Sequence, residues 1–236
     1  MNGKKISVAL AAYKGEKYLP RQLDSILSQL GEGDEVIISD DLPGGETENI
    51  SRRRAAEDSR VKYIEGPGRG VIKNFENAII HCTGDYIFLS DQDDVWLPQK
   101  VQRVTEKLEC GASAVLHDAQ VSDGELNITE ASFFKLHGTK PGVLANIIRN
   151  SFVGCCMAFD ARLKEDILPF PDDLPMHDQW IGIIASLRGR VELIDEPLII
   201  YRRHGGTVTG GSTSTAQKLR WRFAVTKDVL ARRLKF

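Results

Sequence analysis

The 236-residue chain is expected to fold as an α/β protein, with a mostly parallel central sheet flanked by helices and an amphipathic helix in its last stretch. Three observations predict this. Short unbroken apolar runs alternate with amphipathic segments up to residue 96, two of those runs end in clustered acids, and the alternation loosens beyond them. Strands buried on both faces read as continuous apolar runs, and their alternation with helical patterns means βαβ units.

In chain order, "ISVALAAY" from Ile6 reads as the first strand, and "LPRQLDSILSQL" as a helix. Its Leu19, Leu23, Ile26, Leu27 and Leu30 recur at three- and four-residue steps, one buried stripe, and Pro20 suits a first turn. Strand "EVIISDD", helix "TENISRRRAAED", strand "VKYIEG", helix "GVIKNFENAIIHC" and strand "YIFLSDQ" follow. Next come helix "PQKVQRVTEKLEC", strand "SAVLHDAQVSD", a polar stretch and helix "VLANIIRN". Strand "FVGCCMAFD", helix "DQWIGIIASLRG" and strands "VELID" and "PLIIYRRH" complete this mixed, partly antiparallel half. A Gly/Ser/Thr-rich passage from Gly205 to Thr215 reads as a mobile loop before a last helix from about Ala216. The expected organisation is one domain over 1–210, with a nucleotide-binding half (1–96) and an acceptor-binding half (97–210), then a basic helical tail over 211–236.

The bulk numbers narrow the function. Hydrophobic residues make up 42% and charged residues 27%, as in a globular protein with a real core. A net charge of −2 gives no global attraction to nucleic acid. Cys82, Cys110, Cys155 and Cys156 form no C-x-x-C pair and a poor disulfide framework, so a reduced, cytoplasmic compartment is expected. "MNGKKISVALAAY" runs straight into polar "KGEK", which reads as a strand and not a leader. No window approaches the roughly 18 apolar residues of a membrane span, so any contact with the inner face of a membrane would be peripheral.

The acids carry the chemistry. In open α/β sheets ligands sit outside the carboxyl ends of the strands, and the strands ending in Asp40–Asp41 and in Asp91, Asp93 and Asp94 are expected to share one edge. Asp40 and Asp41 equally suit the capping of a turn. Three acids within four positions repel one another unless a cation joins them. Mg²⁺ or Mn²⁺ takes such oxygen ligands together with phosphate oxygens, which implies a phosphate-bearing substrate.

The order of "ISVALAAYKGEKYLPRQLDSIL", "VIISDD", "KNFENAIIHCTGDYIFLSDQDDVWLPQKV", "GCCMAFD", "HDQW" and "YRRHGGTVTG" resembles the family 2 glycosyltransferases of the GT-A fold, and within them the bacterial rhamnosyltransferase type. The resemblance runs from about Ile6 to Gly210. It implies that Ala11 and Tyr13 hold the nucleotide at the first strand end. It implies that Asp40 or Asp41 accepts the imide N–H of uracil or thymine, which cytosine lacks; a UDP- or dTDP-sugar, dTDP-rhamnose among them, is therefore the expected donor. Lys73 would lie near the nucleotide, although a lysine there also suits plain solvation. Asp91 would meet ribose or metal, Asp93 would bind Mn²⁺ or Mg²⁺ bridging the diphosphate, and Asp94 would be structural. "DDLPGGET" departs from the family's usual D-D-x-S-x-D-x-T.

Asp178 occupies the position of the family's catalytic base, and also suits an N-cap. His177 replaces the usual Glu. Gly154, Cys155, His177, Trp180 and Arg203 would line the donor-sugar and acceptor side, with the cysteines equally suited to a core. His204 would approach the metal or diphosphate. The acceptor implied is a growing cell-surface glycan, lipid-linked or not. The last helix, with Lys218, Arg220, Arg222, Lys227, Arg232, Arg233 and Lys235 beside Leu219, Phe223, Leu230 and Leu234, suits an anionic membrane, its own domain or a second subunit in a homodimer. Three rival readings are a sugar-nucleotide-binding protein without turnover, a D-x-D-x-[TV] phosphatase built on "DQDDV", and a nucleotidyltransferase, whose glycine-rich first loop "AYKGEKYL" does not supply.

Overall fold

In the computed structural model the described residues are 3–204 and 214–233, and within them the alternation read from the sequence becomes a nine-stranded sheet. Strands β1 (Ile6–Ala12), β2 (Glu35–Asp40), β3 (Val61–Glu65) and β4 (Tyr86–Asp91) are linked by helices α1 (Leu19–Leu27), α2 (Glu46–Glu57) and α3 (Val71–His81). Then come β5 (Val95–Trp96), α4 (Lys100–Glu109), β6 (Ala114–Ser122), β7 (Ile128–Glu130), α5 (Phe133–His137) and α6 (Val143–Ile148). The remaining elements are β8 (Met157–Asp160), α7 (Lys164–Ile167), α8 (His177–Arg188), β9 (Val191–Arg202) and α9 (Thr215–Arg233). Across the sheet the order is β3-β2-β1-β4-β8-β6-β9-β5, with β7 paired to β6.

The block β3-β2-β1-β4 is parallel throughout. Beyond it the sheet is mixed. β8 runs antiparallel to β4 and β6, whereas β6 and β9 are parallel. Both faces are covered because the apolar runs are two-sided. Ile6, Val8 and Leu10 of β1 join Leu19, Leu23 and Ile26 of α1 on one face. Ala9 and Ala11 join Phe75, Ala78 and Ile79 of α3 on the other, where small side chains let that helix lie close. Removing one such leucine, Leu23→Ala for example, is worth about 2–5 kcal/mol. α1 ends at Leu27, so Leu30 is buried from the turn beyond the helix.

Three local readings change. "FVGCC" is not strand: Gly154–Cys156 forms a 3-10 turn, because the Gly154 N–H is drawn to Asp178 (3.2 Å) and the Cys155 carbonyl to Lys100 (2.8 Å). "VELID" and "PLIIYRRH" are one strand, β9, which tolerates Pro197 where the register against β6 shifts opposite Asp118. The polar stretch after β6 holds β7 and α5, the latter capped by Ser132, whose Oγ accepts from the Lys135 N–H. The Gly-rich passage from Gly205 as far as residue 213, together with Leu234 and Lys235, lies outside the described residues.

Candidate active site

The parallel register sets the geometry of the cleft. β1 lies between β2 and β4, with Asp40 beside Ala12 and Asp91 beside Ala11. Both acids therefore end their strands on one edge, two strand spacings or about 10 Å apart. That distance suits a ligand that carries a base at one end and a diphosphate at the other.

At the β2 end the two acids differ. Both oxygens of Asp41 are committed to the loop before α3, accepting from Gly68 (2.7 Å), Arg69 (3.3 Å) and Gly70 (2.7 Å) N–H groups. Asp40 accepts from Leu42 N–H at 3.1 Å through one oxygen, while its buried Oδ2 has no partner among the described residues. Burial raises its pKa, with the nearby acids Glu48 and Asp41 adding to the effect. Asp41 thus shapes the loop, and Asp40 retains the free acceptor.

The loop after β4 is held from several sides. The Gln92 amide accepts from the Tyr13 N–H and donates to the Tyr13 carbonyl, both at 2.8 Å, clasping the β1 end to the acidic loop. A Cβ on Gly15 would lie 2.2 Å from Gln92 Oε1, so a larger residue there would displace the Gln92 amide from this clasp. Tyr13 itself is exposed and Ala11 buried. Arg202, at the end of β9, braces the other side. Its backbone N–H reaches Asp94 Oδ1 at 3.0 Å, its Nε the Asp93 carbonyl at 2.7 Å and its Nη1 the Gly124 carbonyl at 2.5 Å. Its guanidinium lies over the Tyr18 ring, 4.6 Å from the centroid, and the His204 ring packs against the same tyrosine at 4.9 Å.

Asp93 and His204 meet, with Nε2 2.7 Å from Oδ2. Asp91, Asp94 and Cys155 form a second group, their ligand atoms within 4.8 Å of one another. The Asp91 carboxyl accepts no hydrogen bond from the described residues, and burial together with Asp94, Asp93 and Asp178 raises its pKa well above the usual range. Asp94 is pushed up to about 7 by burial and by Asp93, against the Arg202 N–H. Besides Arg202, the protein supplies a second cation here. Lys100 is fully buried, its ammonium donating to the Cys155 carbonyl at 2.8 Å over the Trp96 ring (4.1 Å), and burial lowers its pKa to about 8.

That leaves more acid than base in the nest, an imbalance a divalent cation would relieve. The donor set fits Mg²⁺ or Mn²⁺ through its carboxylates. Cys155 fits poorly: a hydrogen bond with Cys156, burial and Asp94 hold its thiol protonated, so it presents no thiolate.

Asp178 opens α8 beneath this nest. It accepts from Asn150 Nδ2 (3.0 Å), Gln179 N–H (2.6 Å) and Gly154 N–H (3.2 Å), and burial still raises it to about 6. A carboxylate tuned upward beside other acids is suited to take a proton near neutral pH.

Other expected site residues lie elsewhere. Trp180 is fully buried, and its indole N–H donates to the Ile167 carbonyl at 2.9 Å, so it packs the core. His177 is buried too, stacked on Phe75 at 4.0 Å with neither ring nitrogen partnered among the described residues, and burial lowers its pKa to about 3. This neutral ring abuts Gly154, where an added Cβ would lie 2.7 Å from Nε2; it supports the site from behind. Lys73 is neither solvated nor free for a phosphate. Its ammonium reaches Glu76 (2.8 Å), Asp172 (3.3 Å) and the Phe170 carbonyl (3.2 Å). Arg203 is exposed, over Tyr201 at 5.9 Å. Sequence reasoning missed Lys100, Arg202, Gln92 and Tyr18. The available signal was a lysine and an arginine at apolar positions of α4 and β9.

Fold and cleft together define the class: the chain belongs to the glycosyl transferase family 2, which residues 7–168, more than half its length, match. Among curated relatives, "Uncharacterized glycosyltransferase alr2836" of Nostoc sp. is 28% identical over 85% of this chain. The dTDP-rhamnosyl transferase RfbG of Shigella flexneri is 27% identical over 89% of this chain and 76% of its own length. The chain spans 65% of the Nostoc relative. Among solved structures, S. aureus TarS 1-349 in complex with UDP-GlcNAc superposes with a TM-score of 0.74 at 18% identity, over 96% of this chain and 66% of that one. Its agreement is one of fold. Among the described residues no helix is long and apolar enough to cross a membrane.

Proposed function

We propose that this chain transfers a sugar, with inversion, from a UDP- or dTDP-sugar to a hydroxyl of a growing cell-surface glycan. The observation that carries the reading is the shared sheet edge, where Asp40 with its unpartnered oxygen and the Asp91–Asp93–Asp94 nest flank β1 about 10 Å apart. The relative that uses a dTDP donor and the fold neighbour that binds UDP-GlcNAc support an imide-bearing pyrimidine, the base type an Asp40 acceptor selects.

In this reading Asp40 Oδ2 accepts the base N3–H, and the Gln92–Tyr13 clasp holds the floor of the nucleoside site. Asp91 and Asp93 would hold Mn²⁺ or Mg²⁺, with His204 orienting the Asp93 carboxylate. When bound, the metal supplies charge neutralisation for the departing diphosphate. Asp94 and Lys100 sit beneath as a fixed, water-excluded support that Arg202 keeps in register. Asp178 takes the acceptor proton as its oxygen attacks the anomeric carbon, and its three hydrogen bonds fix the carboxylate for that step.

The test is a thermal-shift panel of UDP-, dTDP-, CDP- and GDP-sugars with and without Mn²⁺. A shift with uracil and thymine nucleotides that grows with metal is expected. A response confined to GDP-sugars would overturn the base-recognition argument.

A further inference from the structure

α9 is docked on its own domain through one face and bare on the other. Val225 and Val229 are buried, and Arg232 donates to the Leu168 carbonyl at 2.8 Å. The opposite side exposes Leu219 (57%), Phe223 (74%) and Leu230 (55%). At about 100° per residue these three share an arc of roughly 40°. Arg220 and Lys227 flank that arc on one side, Lys218 and Arg222 on the other. The one acid described on α9, Asp228, lies toward the domain. Arg222 Nε also donates to the Ile148 carbonyl at 3.0 Å, seating the end of α6 beside the stripe. α6 in turn exposes Leu144 (76%) and Ile148 (61%), four residues apart.

We propose that α9 and the adjoining end of α6 form a docking surface for an anionic lipid bilayer. The apolar stripe would enter the headgroup–acyl boundary, and the basic flanks would meet the anionic headgroups. Charge decides for lipid over a second copy of this chain. A two-fold dimer through this face would set the basic flanks of one copy, Lys218, Arg220, Arg222 and Lys227, against the basic flanks of the other. None of the side chains that form this surface is assigned a part in the transfer reaction, so the proposal stands apart from it.

The test is co-flotation of the full chain with vesicles of phosphatidylcholine alone or mixed with phosphatidylglycerol, at low and high salt. Partitioning about tenfold or more in favour of the anionic vesicles, weakened by salt, is expected. Phe223→Ser and the triple change Lys218→Glu, Arg220→Glu, Lys227→Glu should each abolish that preference. Melting temperature and the response to UDP should stay unchanged, because the altered side chains are exposed. Equal partitioning to both vesicles, or full binding by both variants, would overturn the proposal. So would a dimer in solution that Phe223→Ser splits, which would assign the face to a second copy.

Discussion

Asp178→Asn is expected to make this protein more stable and nearly inactive at once, and the two effects have one cause. In the folded chain the carboxyl is buried and its pKa stands at about 6 instead of 3.8. That difference of about two units is roughly 3 kcal/mol by which the ionised form is disfavoured on folding. The sign follows from proton counting. Between pH 4 and 6 the folded state binds the proton more tightly than the unfolded one, so the wild type loses stability as pH rises through that window. An asparagine never ionises and escapes the loss. It keeps its oxygen toward Asn150 and Gln179, while its NH₂ meets the Gly154 N–H in place of a 3.2 Å hydrogen bond. Setting about 1 kcal/mol against the gain leaves about 2 kcal/mol net. For a chain of this size that is roughly 4–8 °C in melting temperature at pH 7.5, falling to zero at about pH 4.5 and reversing slightly below it, where only the lost hydrogen bond remains. Calorimetry in EDTA across that range reads it without metal on Asp91 or Asp93. Turnover should fall at least about 100-fold, since the proposed proton acceptor is gone. A pH-independent difference in melting temperature, or turnover within a few-fold of wild type, would refute the reasoning.

Further outcomes follow from the same geometry. Wild-type kcat/KM should decline on the acid side with a midpoint near 6 as Asp178 is protonated, measured with saturating Mn²⁺ across pH 5–8. Asp40→Asn offers an amide that serves cytosine as well as uracil, so the preference for UDP over CDP in competition binding should drop by about tenfold or more. Asp93→Ala should remove the Mn²⁺-dependent part of the nucleotide thermal shift and leave the metal-free part; an unchanged metal response would place the cation elsewhere. Gly154→Ala drives a Cβ to 2.7 Å from His177 Nε2 and should cost about 2 kcal/mol in urea unfolding. Combining it with His177→Ala should cost clearly less than the sum of the single changes, because the two occupy the same space.

The parallel half of the molecule was legible in the sequence because its elements are local. Each strand is a continuous apolar run, each helix carries its own stripe, and the acids fall at the strand ends where βαβ handedness must gather them. Asp178 at a helix start and His204 after the last strand were readable too, through the order of motifs. Only the fold separated Asp40 from its neighbour, since the loop N–H groups that engage Asp41 come from residues 68–70. Lys100 and Arg202 were hidden because a lone cation in an apolar run looks like a solvated tip. Its partners, the Cys155 carbonyl and the Asp93–Asp94 loop, lie 55 and 109 positions away along the chain. The same limit misplaced Trp180 and His177. Helix periodicity gives the face a side chain occupies, but which neighbour covers that face is set by packing, and here the Ile167 carbonyl and the Phe75 ring cover them. Sequence alone determined the order of the strands' acids along the chain. The three-dimensional packing decided which oxygens stay free to bind, because hydrogen bonds between distant residues are made only once the sheet has closed.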